Sequence, residues 1–263
     1  MFFIGSIFLT NLYILLYGKI FNKFYFKNSN NSIYEIAILG SIFVAFLGLL
    51  INFLFPLNKI INSIIFLIPF FLLLKKKNLN KNDFFFLILS TIFVYFIIIF
   101  STINRPDAGL YHLPFTQILN EHKIILGLSN IHSRFGHISI IQYLSAINYN
   151  FIIGLDGILI PLASLMVFIF LYFVSEIYKF INNNYNFDLN YFFCLLVVMF
   201  ICYKINRFSG FGNDATSHLL FFYLISLFLK SQNTFEDLSK MTLIATYIFL
   251  SKITLILSFA FPI

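Results

Sequence analysis

Four of the five histidines, His112, His122, His132 and His137, fall between residues 104 and 156, and His218 follows a second polar segment. Imidazole titrates near neutral pH, so this clustering suits proton transfer or metal binding. The richest run is Asn-Arg-Pro-Asp-Ala-Gly-Leu-Tyr-His-Leu-Pro, Asn104 to Pro114, with Tyr111 and His112 four and five residues after Asp107. A carboxylate in that position can serve as general base or metal ligand at the mouth of a cavity. Asp is equally a favoured helix N-cap, because its side chain accepts orphan N–H bonds. His112, two residues before Pro114, is expected in a turn, and Pro114 either opens the following helix or kinks it.

The second candidate is Gly-Phe-Gly-Asn-Asp-Ala-Thr-Ser-His, Gly210 to His218. Asp214 and His218 are four apart, so on a helix they share a face and can hold a metal or a phosphate. Capping by Asn213 or Asp214 is the competing account. A third run, Asn130 to His137, contains His132 and Arg134, and Arg134 can clasp a phosphate through two parallel N–H bonds. The alternative there is a solvated loop. Two His four apart around a Glu do not occur, and neither a glycine-rich nucleotide loop nor a Walker-type Lys is present. A soluble nucleotide donor therefore has no visible site, whereas a lipid-borne substrate can enter sideways from the membrane.

The elements that must position these residues are membrane helices. Of 263 residues 60% are hydrophobic and 10% charged, with mean hydropathy +0.92. A water-soluble domain carries roughly 25% charged residues. At roughly 20 apolar residues per spanning helix there is room for about eight spans and one large loop. The expected architecture is an all-α polytopic integral membrane protein. The spans read Phe2 to Tyr17, Ile33 to Phe55, Lys59 to Leu74, Phe84 to Ile103, Gly157 to Phe180, Leu189 to Tyr203, Ala215 to Leu229 and Met241 to Phe261. Three regions follow: residues 1–103 with four spans, 104–156 as a large external loop, and 157–263 with four more. Lys252 is the clearest charge inside a predicted span, where such a residue faces a cavity, reaches an interface or contacts phosphate.

Orientation follows from Lys and Arg. Alternation puts ten of them, Lys19, Lys23, Lys27, Lys75, Lys76, Lys77, Lys81, Lys179, Lys230 and Lys240, on one side and six on the other. The positive-inside bias favours an external N-terminus. Both polar segments, 104–156 and 204–214, then emerge on the external face. The net charge of +7 thus reports topology, and no nucleic-acid partner is expected. Within the large loop, Leu110, Leu113, Ile118 and Leu119, and then Ile138, Ile141, Leu144 and Ile147, have near-helical spacing. Such stretches are expected to lie in the interface with the apolar side toward the acyl chains. The two cysteines, Cys194 and Cys202, sit eight residues apart on one helix, about 12 Å, and cannot bridge.

An acidic residue just after an early span, followed by a short aromatic helix on the external face, resembles the GT-C superfamily of polytopic glycosyltransferases. The run Asp107, Gly109, Tyr111, His112 and then Asn130, His132, Arg134 is similar to a group of bacterial multi-pass proteins with GT-C-like organisation. The likeness covers roughly Phe84 to Pro262 and includes the Asp214 segment and Lys252. It implies a bacterial inner-membrane transferase that moves a sugar from a polyprenyl-phosphate donor to a lipid or glycan acceptor on the external face. In that scheme Asp107 is the catalytic carboxylate, and Tyr111, His112, His132, Arg134, His218 and Lys252 bind substrate. Asp107 and Asp214 would hold a divalent metal, Mg or Mn, if one is used. The superfamily usually has more spans and often a soluble C-terminal domain, so a chain stopping at Ala-Phe-Pro-Ile is expected to be part of a longer protein. A surface-polysaccharide polymerase or ligase is the neighbouring alternative. A transporter or passive membrane component is the alternative from another class, but it should concentrate its polar residues at mid-membrane.

Overall fold

In a computed structural model the described residues are 2–26, 31–75, 79–100, 107–137, 139–182, 188–205, 212–232 and 234–262. Among them the regular structure is entirely helical. The long helices are α1 (Phe2–Tyr25), α2 (Ile33–Leu54), α3 (Lys59–Lys75) and α4 (Lys81–Phe100), then α7 (Ile160–Asn182), α8 (Leu189–Lys204), α9 (Asn213–Lys230) and α10 (Phe235–Ser251). Two short helices, α5 (Leu113–Glu121) and α6 (Ile141–Ile147), lie between α4 and α7. Among the described residues four helical segments are long and apolar enough to cross a membrane: Phe3–Tyr25, Ile33–Leu54, Lys81–Phe100 and Leu155–Asn182. Apolar stretches in α3 (Lys59–Phe71) and α8 are shorter.

α7 is the hub, packing against α1, α2, α4, α6, α8 and α9. It is apolar nearly all round, from Ile160 to Phe173, as a helix surrounded by others must be. α1 and α2 approach backbone to backbone. A Cβ added at Gly18 would strike the Ile36 carbonyl, and one at Gly40 the Ile14 carbonyl. Small residues at such a seam let helices pack where the surrounding lipid offers no hydrophobic drive.

One end of the bundle is closed by ion pairs. Lys19 meets Asp83, Glu35 accepts from Lys240 at 3.3 Å, and Glu176 accepts from Lys179 at 2.8 Å and Lys230 at 2.7 Å. Acids here also organise helix starts. Ser32 and Glu35 form a capping box on α2, Asp188 caps α8, and the Asp83 carboxylate accepts from Asn80 N. α1 runs on to Tyr25, beyond the expected end at Tyr17, and Lys19 in this extension makes the pair with Asp83.

The other end carries the inserted segment, and here the structure corrects the expectation for 141–147, Ile138 lying outside the described residues. α6 is buried at every residue, packed among α2, α3, α5 and α7, rather than resting on acyl chains. Amides in and just after it have protein partners. The Asn148 amide donates to Thr10 Oγ1 and the Gly157 carbonyl, and Gln142 meets His112. Amides from the long helices hold the insert down. Asn52 Nδ2 lies against the carbonyls of Leu119 and His122, and Asn62 Nδ2 against those of Ala146 and Tyr149 and the side-chain oxygen of Asn120. A buried amide left unpaired is costly, so each of these contacts fixes register.

A second correction concerns the last element. α10 stops at Ser251 instead of continuing to Phe261, and Lys252 takes an extended backbone at φ −154°. The chain then reverses as a 3-10 segment, Ile253–Ala260, and folds back along α10 and α9. Ser258 Oγ donates to the Ala245 carbonyl at 3.2 Å, and the Phe261 ring packs on Phe221 and Phe228. Lys252 therefore sits at a chain reversal at the bundle end, not within a continuous span.

Candidate functional site

The segment after α4 is helical from Asp107, and its first turn is wide. Ala108–His112 is a π-turn, closed by a bond from Leu113 N to the Ala108 carbonyl, and it leads directly into α5. Pro114 explains the widening. Proline lacks an N–H and would crowd the carbonyl four residues back, and a π-turn relieves that clash while keeping the helix going. His112 is consequently a helical, buried residue and not a turn residue.

Asp107 has helical φ and ψ, and its side chain makes no capping hydrogen bond. Its carboxylate instead faces Arg134 Nη1 at 3.8 Å, both side chains being 52% exposed. Arg134 also lies over the Tyr111 ring, 5.5 Å from its centroid, and the Tyr111 ring abuts His112. The second acid repeats this arrangement. α9 is capped at Gly212 without a side-chain bond, which leaves Asp214 to accept from Lys252 Nζ at 2.8 Å. Neither carboxylate does the capping work that its position suggested.

His112 sits between the two pairs. Its Nδ1 meets the Gln142 amide at 2.6 Å, and its Nε2 lies beside Gly212, two residues before Asp214. Burial lowers the His112 pKa, and the charges of Asp107 and Asp214 oppose this only in part, so the ring is neutral at neutral pH. Burial and both carboxylates push the Tyr111 phenol up against the opposing pull of Arg134. For Asp214, partial desolvation alone would raise the pKa. The hydrogen bond and charge of Lys252, with His218 and His112, outweigh it and hold the carboxyl below the usual carboxylate value. The two acids thus act on the same Tyr111 and His112.

Of the residues singled out in the sequence, Asp107, Tyr111, His112, Arg134, Asp214 and Lys252 come together. His218 is exposed one turn beyond Asp214 and contributes through its charge. His132 is exposed, and its Nδ1 accepts from Arg134 N at 3.2 Å, so it shapes the turn that presents Arg134. The His137 side chain lies outside the described residues. Gln142 is a site residue that sequence reasoning missed. Its signal was an amide inside an otherwise apolar helical stripe. Cys194 is buried against Asn190 and Ser226, and Cys202 is exposed; both are free.

The residues present do not make a metal cradle. Asp107 and Asp214 each have a cationic side chain as counter-ion. Among the described residues no three His, Cys, Asp or Glu side chains are grouped to ligate an ion. The cluster is better suited to an anion, which Arg134 and Lys252 can share, next to a neutral imidazole and a carboxylate able to take a proton.

No curated protein and no solved structure matches the chain. A family does, over residues 1–263, and the chain belongs to it: DUF8201, a domain of unknown function.

Proposed function

We propose that the protein is a membrane glycosyltransferase of GT-C-like organisation that takes a sugar from a polyprenyl-phosphate donor at the external face of a bacterial inner membrane. The observation that carries this reading is the convergence of two uncapped carboxylates, two cations and a buried neutral histidine at one end of the bundle. Phosphate from the donor engages Arg134 and Lys252 and draws Arg134 away from Asp107. The freed Asp107 carboxylate takes the proton of an acceptor hydroxyl as its oxygen bonds to the anomeric carbon. The bond from that carbon to the phosphate oxygen breaks, and the electron pair leaves on the phosphate. His112, held by Gln142, offers its other ring nitrogen to the phosphate or acceptor.

The reading includes eight spans, with α3, α8, α9 and α10 crossing beside the four longer helices. Single-cysteine labels at the exposed Leu189 and Ile205, at the two ends of α8, test it, since they should be accessible from opposite sides. Labelling from the same side overturns the eight-span topology. For catalysis, Asp107→Asn in the full-length native protein should change the profile of lipid-linked and surface glycans. Unchanged glycans at normal expression overturn the assignment of Asp107.

A further inference from the structure

α5 has a second working face. Leu113, Gln117 and Glu121 of α5 recur at helical spacing and, with Gly109 of the preceding turn, border a cavity of about 910 Å³. This lies in the range of pockets that hold small amphiphiles. Part of its wall is apolar and comes from the membrane helices: Phe3 of α1, Ile98 of α4, and Ile158 and Leu159 at the start of α7. The rest is polar, with Lys59, Tyr149, Glu121 and Asp156.

Lys59 is in an unusual position. It is the first residue of α3, where the helix dipole disfavours a cation, and among the described residues no carboxylate pairs with it. It is half-buried, with Nζ 4.6 Å from the centroid of the Tyr149 ring and 6.0 Å from that of Phe151. Asn58 Oδ1 already accepts from Ile61 N at this helix start, so the group left to call for a phosphate is the Lys59 ammonium itself, without a carboxylate partner among the described residues and beside an apolar wall. The same cavity presents the carboxylate of Asp156, which has no partner among the described residues, and Glu121, which accepts only the exposed amide of Gln117. One cation and two carboxylates do not suit a purely anionic headgroup. They suit a headgroup carrying both charges.

We infer that this cavity binds a zwitterionic aminophospholipid of the phosphatidylethanolamine type. The phosphate lies on the Lys59 ammonium. The primary ammonium donates its N–H bonds to Asp156 and Glu121, and the upper acyl chain follows Phe3, Ile98 and Ile158. Neither Asp107 nor Arg134 borders this cavity, and the inference stands whether or not Asp107 catalyses transfer.

The test is native mass spectrometry of the full-length chain in detergent. It is offered dioleoyl phosphatidylethanolamine, phosphatidylcholine and phosphatidylglycerol separately at equal concentration. Phosphatidylethanolamine should be retained about fivefold more than either, the worth of one partly exposed ion pair. Phosphatidylcholine keeps the phosphate and charge but lacks ammonium N–H donors, so Asp156→Asn should narrow the gap between the two lipids, and Asp156→Asn combined with Glu121→Gln should close it, phosphatidylethanolamine falling by more than phosphatidylcholine. Lys59→Gln should weaken both phosphate-bearing zwitterions alike. Equal retention of the three lipids, preference for phosphatidylglycerol, or unchanged selectivity in Asp156→Asn overturns the inference. If Lys59→Gln does not fold, the Asp156→Asn comparison decides alone.

Discussion

The two ends of the bundle use the same residue types for opposite purposes. At the end holding Glu35, Asp83 and Glu176, the acids are less than 10% exposed, and each is neutralised by a lysine from another helix or the next turn. Glu35 and Asp83 also accept backbone N–H bonds at helix starts. At the end holding Asp107 and Asp214, the acids stand at helix starts too, yet cap nothing, remain exposed, and pair with cations they can release. Charges that fasten helices are buried and fully occupied. Charges that are to meet a substrate must be left accessible and only loosely satisfied.

The sharpest way to break this contrast is at the buried end. Lys240→Ala strands the Glu35 carboxylate and should cost about 3–5 kcal/mol, read as a lower unfolding temperature in detergent. Glu35→Leu combined with Lys240→Met should recover most of that loss, because two matched apolar groups replace the pair. If the double variant is as unstable as the single one, the pair is not acting as a unit.

Asp107→Asn carries the next largest effect, in function and not stability. Transfer should fall by about a hundredfold or more while stability stays within about 0.5 kcal/mol, since the side chain is half exposed and caps no helix. A large stability loss without a change in glycans would move Asp107 to the structural class.

His112 gives a smaller, pH-dependent signature. Its folded pKa is depressed, so below the unfolded value of about 6.5 the unfolded chain takes up a proton that the folded chain refuses. Stability should therefore be full above that pH and decline as pH falls toward the folded value. His112→Gln should flatten this part of the unfolding-temperature profile between pH 7.5 and 5.5. The smallest effect belongs to Lys252→Met, which removes an ion pair whose acid is 77% exposed and should change stability by less than about 1 kcal/mol.

Much of this was legible in the chain. Apolar run length placed α2 within a residue of its observed span, and acid and histidine types picked out Asp107, His112 and Asp214 before their partners were known. What failed has a common cause. Periodicity shows that a helix has an apolar side but not what covers it. α6 therefore read as a membrane-surface helix, although Gln142 and Asn148 have their partners on distant segments, at His112, Thr10 and Gly157. The break at Lys252 was hidden for a similar reason. Hydropathy continues unbroken through Ile253 to Phe261, and the stop shows only in three dimensions, where Lys252 turns to Asp214, 38 residues earlier, and Ser258 folds back onto Ala245.

The wide turn at Ala108–His112 has a consequence for how this segment tolerates change. One additional residue accommodated in a turn sets the phase of everything that follows by about 100°. Upstream of it stands Asp107, and downstream runs the α5 face that borders the Lys59 cavity. The turn therefore works as an angular coupling between two chemistries on one rod. Deleting a single residue here would leave a good helix with every side chain still present, and would aim one of its two faces at the wrong neighbour.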